Sequence, residues 1–63
     1  MRRSRGYALW TGAGVGSYRS WERAVGAARL AAGQSHEVVV LLDDHSGRMW
    51  DVAPGGRLSN HQT

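Results

Sequence analysis

Four groups of residues in this chain have types and spacings that chemistry would need. Gly12-Ala13-Gly14-Val15-Gly16-Ser17 follows an apolar run and precedes a helical pattern. In that setting glycines let backbone amides approach a dinucleotide pyrophosphate. Such a loop needs its last glycine at the helix start, for close contact between helix and strand. Here Gly16 stands four residues before Ser20, the predicted helix cap. A glycine hairpin turn accounts for the same letters, and no cofactor is expected.

Asp43, Asp44, His45 and Asp51 offer hard ligands at short spacing. A Ca²⁺ loop needs about six or more oxygens alternating along the chain, and this segment has too few. Aspartates that hydrogen-bond their own backbone in a turn explain the pattern. His36, His45 and His61 are too scattered for a zinc site, so no metal is expected either. A nucleophilic serine needs a base beside it and an orienting group behind. Ser17, Ser20 and Ser46 instead occupy turn or cap positions, and adjacent turn acids without a pocket do not make an acid–base pair. The chain reads as a non-enzyme with no catalytic residue.

The fourth group is aromatic and basic. Trp10, Trp21, Trp50, Tyr7 and Tyr18 supply stacking surface in a sequence without Phe. Arg2, Arg3 and Arg5 form a basic arm suited to phosphate contacts. Trp21 and Trp50 are expected in the core. Tyr7 and Trp10, with the arm, are the residues a nucleic-acid-binding accessory domain would use. The charge distribution limits that reading. The eight basic residues are all Arg against five acids, net +3. Removing the three in the arm leaves five Arg and five acids over residues 6–63. The basicity therefore belongs to the arm and not to a face of the fold, where an ordered nucleic-acid surface would need it.

The elements that would position these residues follow from pattern. Residues 1–6 read as a flexible basic arm, 7–57 as one domain, and 58–63 as a polar tail. Tyr7 to Thr11 is a short aromatic strand, and Val15 to Tyr18 a weaker one returning across the glycines. Ser20 is a helix N-cap with Glu22 in the first turn, where the helix dipole favours an acid. The helix is predicted to run to about Ala32, with Gly33 as a left-handed stop. Trp21, Val25, Ala28 and Ala32 form its apolar stripe, flanked by Ala24 and Ala31, and Leu30 stands alone on the opposite side. Glu37 to Leu42 is a β-branched and leucine-rich strand, Asp43 to Gly47 a turn, and Arg48 to Val52 the returning strand, ended by Pro54-Gly55-Gly56. The fold class is α+β: a single helix on a three- to four-stranded, mainly antiparallel sheet, ordered ββαββ.

A chain of 63 residues without cysteine buries only about 60% of its unfolded surface, and no disulfide or thiolate metal site can add stability. Oligomerisation or a partner is the remaining route. No run of about 18 apolar residues suggests a membrane span, and no apolar segment follows the N-terminal arginines, so a cytoplasmic protein is expected. The stretch Ser17-Tyr18-Arg19-Ser20-Trp21-Glu22-Arg23-Ala24 through Ala28-Arg29, then Glu37-Val38-Val39-Val40 and a D-x-x-S-G turn, resembles small bacterial β-hairpin–helix–β-hairpin proteins of no agreed activity. The resemblance covers roughly residues 7–53 and implies a fold without functional residues. The chain departs from that group in lacking a lysine-rich helix surface and in having a more apolar central strand.

That central strand carries the functional expectation. One helix covers one face of a sheet, and the other face should alternate to polar. Val38 to Leu42 is apolar on both sides. With a loop of Asp43 to Gly47, Leu42 pairs with Arg48, Val40 with Trp50 and Val38 with Val52. Val38, Val40, Trp50 and Val52 then meet the helix, and Val39, Leu41 and Met49 lie on the open face. A loop one residue shorter exchanges the partners and leaves the strand apolar on both sides. The expected partner-binding residues are Val39, Leu41 and Met49, with Leu30 on the helix. The expected partner is a protein, most simply a second copy in a homodimer, and the expected role is that of a regulator or inhibitor.

Overall fold

The computed structural model describes residues 6–61 and shows an α+β architecture with one helix packed on a five-stranded antiparallel sheet. The strands are β1 (Tyr7–Thr11), β2 (Gly14–Tyr18), β3 (Val39–Asp43), β4 (Met49–Val52) and β5 (Leu58–Asn60), and the helix is α1 (Trp21–Ser35). Their order across the sheet is β2-β1-β3-β4-β5. The sheet exceeds the expected three to four strands because Leu58–Asn60, read as tail, pairs with β4. The expected arginine arm, Arg2, Arg3 and Arg5, lies outside the described residues. Among the described residues no helix is long and apolar enough to cross a membrane.

The β1–β2 and β3–β4 hairpins are each closed by a side chain that caps its own turn. In the first, Thr11 Oγ1 accepts from Ala13 N–H at 3.0 Å and donates to Gly14 C=O at 3.3 Å. Gly14 has φ +132, open only to glycine without strain. In the second, Asp43 Oδ1 accepts from the backbone N–H groups of His45 at 3.0 Å and Ser46 at 3.4 Å. Asp43 N–H donates to Arg48 C=O at 2.8 Å, and Gly47 N–H to Asp43 C=O at 2.7 Å. Asp43 thus closes β3, and the loop is Asp44 to Gly47, one residue shorter than the loop on which the expected pairing rested.

Strand side chains alternate with a period of two residues, so this one residue exchanges the faces. Val39 pairs with Val52, Leu41 with Trp50 and Leu42 with Met49. Val39, Leu41, Trp50 and Val52 therefore face the helix. Leu41 is fully buried, and with Leu9, Val39 and Val52 it meets Ala24, Val25, Ala28 and Ala32 of α1. The alanines let the helix lie close, and the valines and leucines of the sheet supply the volume. Burying a leucine of this kind is worth about 2 kcal/mol. Trp21 and Trp50, expected in the core, flank it instead: Trp21 is exposed and Trp50 half-buried.

α1 starts as expected. Ser20 has extended backbone and its hydroxyl accepts from Arg23 N–H at 3.1 Å. It ends later than expected. Gly33 is helical, and the left-handed cap is His36, with φ 59 and its N–H donated to Ala32 C=O at 2.8 Å.

Three outcomes follow for stability. Ser20→Ala should cost about 1 kcal/mol through the lost cap. Gly33→Ala should instead stabilise by about 0.5–1 kcal/mol, because a Cβ there only touches Pro54 O at 3.8 Å and an interior helix glycine carries excess backbone entropy. Denaturant melts of both variants check the signs. Asp43 gives a pH effect: desolvation raises its pKa, but donors from His45 N–H, the Ser46 hydroxyl and Ser46 N–H together outweigh it and hold the group below the ordinary 3.8. A carboxyl lowered in the folded state adds stability above its ordinary value and loses it as pH falls through the folded value. Acid titration of the melting midpoint should therefore be steeper in the parent protein than in Asp43→Asn.

Candidate interaction face

The side of the sheet away from α1 has no second layer among the described residues. Its side chains form two rows that run across the strands. One row is Val15, Trp10, Val40, Asp51 and Ser59; the other is Ser17, Ala8, Leu42, Met49 and His61. Val38 stands beside them just before β3. The protruding members are exposed: Val15 by 64%, Val38 by 55%, Trp10 by 52% and Met49 by 40%. Val40, Leu42 and Ala8 are half-buried between them. Scattered exposed apolar residues are ordinary, but this is a contiguous patch built on four neighbouring strands.

Electrostatically the face is almost blank. Asp51 is the one charged side chain that the strands place on it, and His61 Nδ1 lies 2.7 Å from Asp51 Oδ1. His61 N–H also donates to Met49 C=O at 3.1 Å, which ties the chain beyond β5 to the sheet.

The expected site residues divide on this geometry. Met49 does lie on the open face and Leu30 is exposed on the outer side of α1. Val39 and Leu41 do not: they are the centre of the core, because the shorter loop turns them towards the helix. Their places on the open face are taken by Val40, Leu42 and Val38. Trp10 also belongs to the open face. Tyr7 faces the other way, packed edge-on against Trp21 with ring centroids 5.5 Å apart, and Trp21 packs likewise on Trp50 at 5.9 Å. The residues of a stacking platform are therefore split between the two faces. Val40 and Leu42 were missed, although their apolar character was plain, because only the loop length says which alternate set points outward.

The helix side offers a shallow groove of about 380 Å³, bordered by Trp21, Glu22, Val25, Gly26, Arg29 and Leu58. Arg29 Nε spends its hydrogen bond on Gly56 C=O at 3.0 Å. Among the described residues no three His, Asp or Glu side chains converge to hold a metal ion.

The two faces separate neighbouring leucines by role. Leu41→Lys should unfold the domain, since a buried, unpaired ammonium costs several kcal/mol against a total stability of about 5–15 kcal/mol. Leu42→Lys should keep the native circular dichroism and a cooperative melt. A folded Leu41→Lys protein would contradict the placement of β3.

Comparison of this chain with protein-family models, with curated proteins and with solved structures gave no match.

Proposed function

We propose that this chain is a non-enzymatic protein-interaction module whose contact surface is the open face of its sheet. The observation that carries the reading is the contiguous patch of Trp10, Val15, Val38, Val40, Leu42 and Met49, with no layer over it among the described residues. A small domain gains much by burying such a surface. The occupant must itself be apolar and nearly uncharged, because Asp51 already has His61 as its partner. The same face of a second copy has that chemistry, with no like charges to bring together except the paired Asp51. Two such sheets would stack about 10 Å apart, as in a β-sandwich. A role as a regulator that acts by contact, and not by chemistry, fits this surface.

The nucleic-acid reading has less support. Within the strands the open face bears no arginine, and only Trp10 of the aromatic pair Tyr7 and Trp10 lies on it.

Light scattering on a size-exclusion column tests the proposal over a dilution series. Self-association is expected in the parent chain and should be lost in Leu42→Lys with the fold retained. An unchanged mass in Leu42→Lys would overturn it.

A further inference from the structure

The open face is small for a stable contact. Five strands about 4.8 Å apart and about 16 Å long give a planar footprint of roughly 300 Å². A standard interface buries about 800 Å² on each partner. Protruding side chains add to this area, and the edge of the sheet offers a second contact.

β2 is the outer strand on one side, and among the described residues none pairs with its outer edge. Its sequence is Gly-Val-Gly-Ser-Tyr, without charge or proline. Sheet edges are usually guarded by charge, proline, a bulge or shortness. The other outer strand, β5, has only three residues and follows Arg57. The backbone groups that β2 presents follow from the ladder. Asp44 N–H donates to Gly6 C=O at 3.0 Å, so even-numbered residues of β1 bond towards β3 and Tyr7, Leu9 and Thr11 bond towards β2. Their partners Tyr18, Gly16 and Gly14 thus bond inward, and the N–H and C=O groups of Val15 and Ser17 point out.

We propose that β2 pairs antiparallel with β2 of a second copy, about a two-fold axis at Gly16. In this register Val15 of each chain faces Ser17 of the other, and each pair exchanges both backbone bonds. Gly16 meets Gly16 at the close, non-hydrogen-bonded position, where absent side chains permit the approach. Tyr18 lies beside Gly14, large against small, and Arg19 beside Ala13, so no like charges meet. An axis at Val15 would pair Ser17 with Ala13 in the turn, and an axis at Ser17 would pair Val15 with Arg19 beyond the strand. The sheet becomes continuous across the two chains, and their open faces join into one surface twice as large. Edge pairing does not depend on the proposed role of that face. If both contacts form, two edge-paired dimers stack into a tetramer with mutually perpendicular two-fold axes, a common closed symmetry.

The test uses the full chain, with mass by light scattering and amide hydrogen exchange by NMR. Val15 and Ser17 amides should be protected at concentrations where association is complete. Ser17→Pro removes an outward N–H while leaving the bonds to β1 intact. It should halve the mass and expose the Val15 amide. Val15→Glu combined with Ser17→Glu places like charges opposite each other and should also halve the mass, whereas Val15→Glu with Ser17→Lys should restore it. The proposal is overturned if the associated protein exchanges Val15 and Ser17 amides as fast as its exposed loops. It is equally overturned if the like-charged pair and a folded Ser17→Pro both keep the parental mass. A parent protein split by Ser17→Pro but indifferent to Leu42→Lys upholds the edge contact and removes the face contact. The opposite sensitivities uphold the face and remove the edge.

Discussion

The Asp43 carboxylate, by taking the amide hydrogens of His45 and Ser46, decides where β3 stops and the turn begins. The consequence spreads through the whole sheet. With Asp43 as the last residue of the strand, the pairing of β3 with β4 puts Leu41 opposite Trp50 and Val39 opposite Val52. β1 reads the same alternation, setting Leu9 beside Leu41. A single residue more in the turn would send Val40 and Leu42 to the helix and place Leu41 in water. Since both alternate sets are apolar, hydrophobicity alone hardly distinguishes the two arrangements. A short polar side chain, worth about 1 kcal/mol per hydrogen bond, breaks the near tie.

The core that results is thin but complete. α1 contributes little volume, with Ala24, Ala28 and Ala32 and a single larger residue, Val25, on its inner face, and so sits close enough for the sheet's Leu9, Val39, Leu41 and Val52 to fill the layer. The large aromatics then work at the margin. Tyr7, Trp21 and Trp50 form an edge-to-face run along one side of the layer, where geometry matters more than enclosure. Trp50 pays for this position with a buried indole N–H that has no partner among the described residues.

Local chemistry made much of this legible from the residues. The strand at Tyr7–Thr11, the existence of β3 though not its ends (Glu37 to Leu42 by pattern, Val39–Asp43 in the fold), the Ser20 cap and the alanine stripe all announce themselves through propensity, capping and periodicity. What escaped was decided elsewhere in the fold. Gly33 has the right residue type for a helix stop, yet the helix runs on to Ser35 and His36 adopts the left-handed cap. Leu58–Asn60 holds one apolar residue and becomes a strand only because β4 offers it an edge. That β3 is apolar on both sides is plain in its residues, but Val40 and Leu42 could be assigned to the open face only once the turn was known. Placement of the exposed aromatics failed in the same way, since Tyr7 and Trp10 differ by an odd number of residues and must point to opposite sides.

The three tryptophans are spread so that the molecule carries two separate optical reporters. Trp21 and Trp50, with ring centroids 5.9 Å apart and planes inclined by 65°, form an asymmetric coupled pair. Such a pair gives a signed near-ultraviolet dichroism band that exists only while helix and sheet remain in register. Trp10 stands apart on the other side of the sheet, half in solvent. Its emission belongs at the red edge of the spectrum and is open to collisional quenchers, and it shifts to the blue when anything covers it. Dichroism thus reads the integrity of the layer between helix and sheet, and the Trp10 share of the fluorescence reads the occupancy of the opposite face, both without an added label.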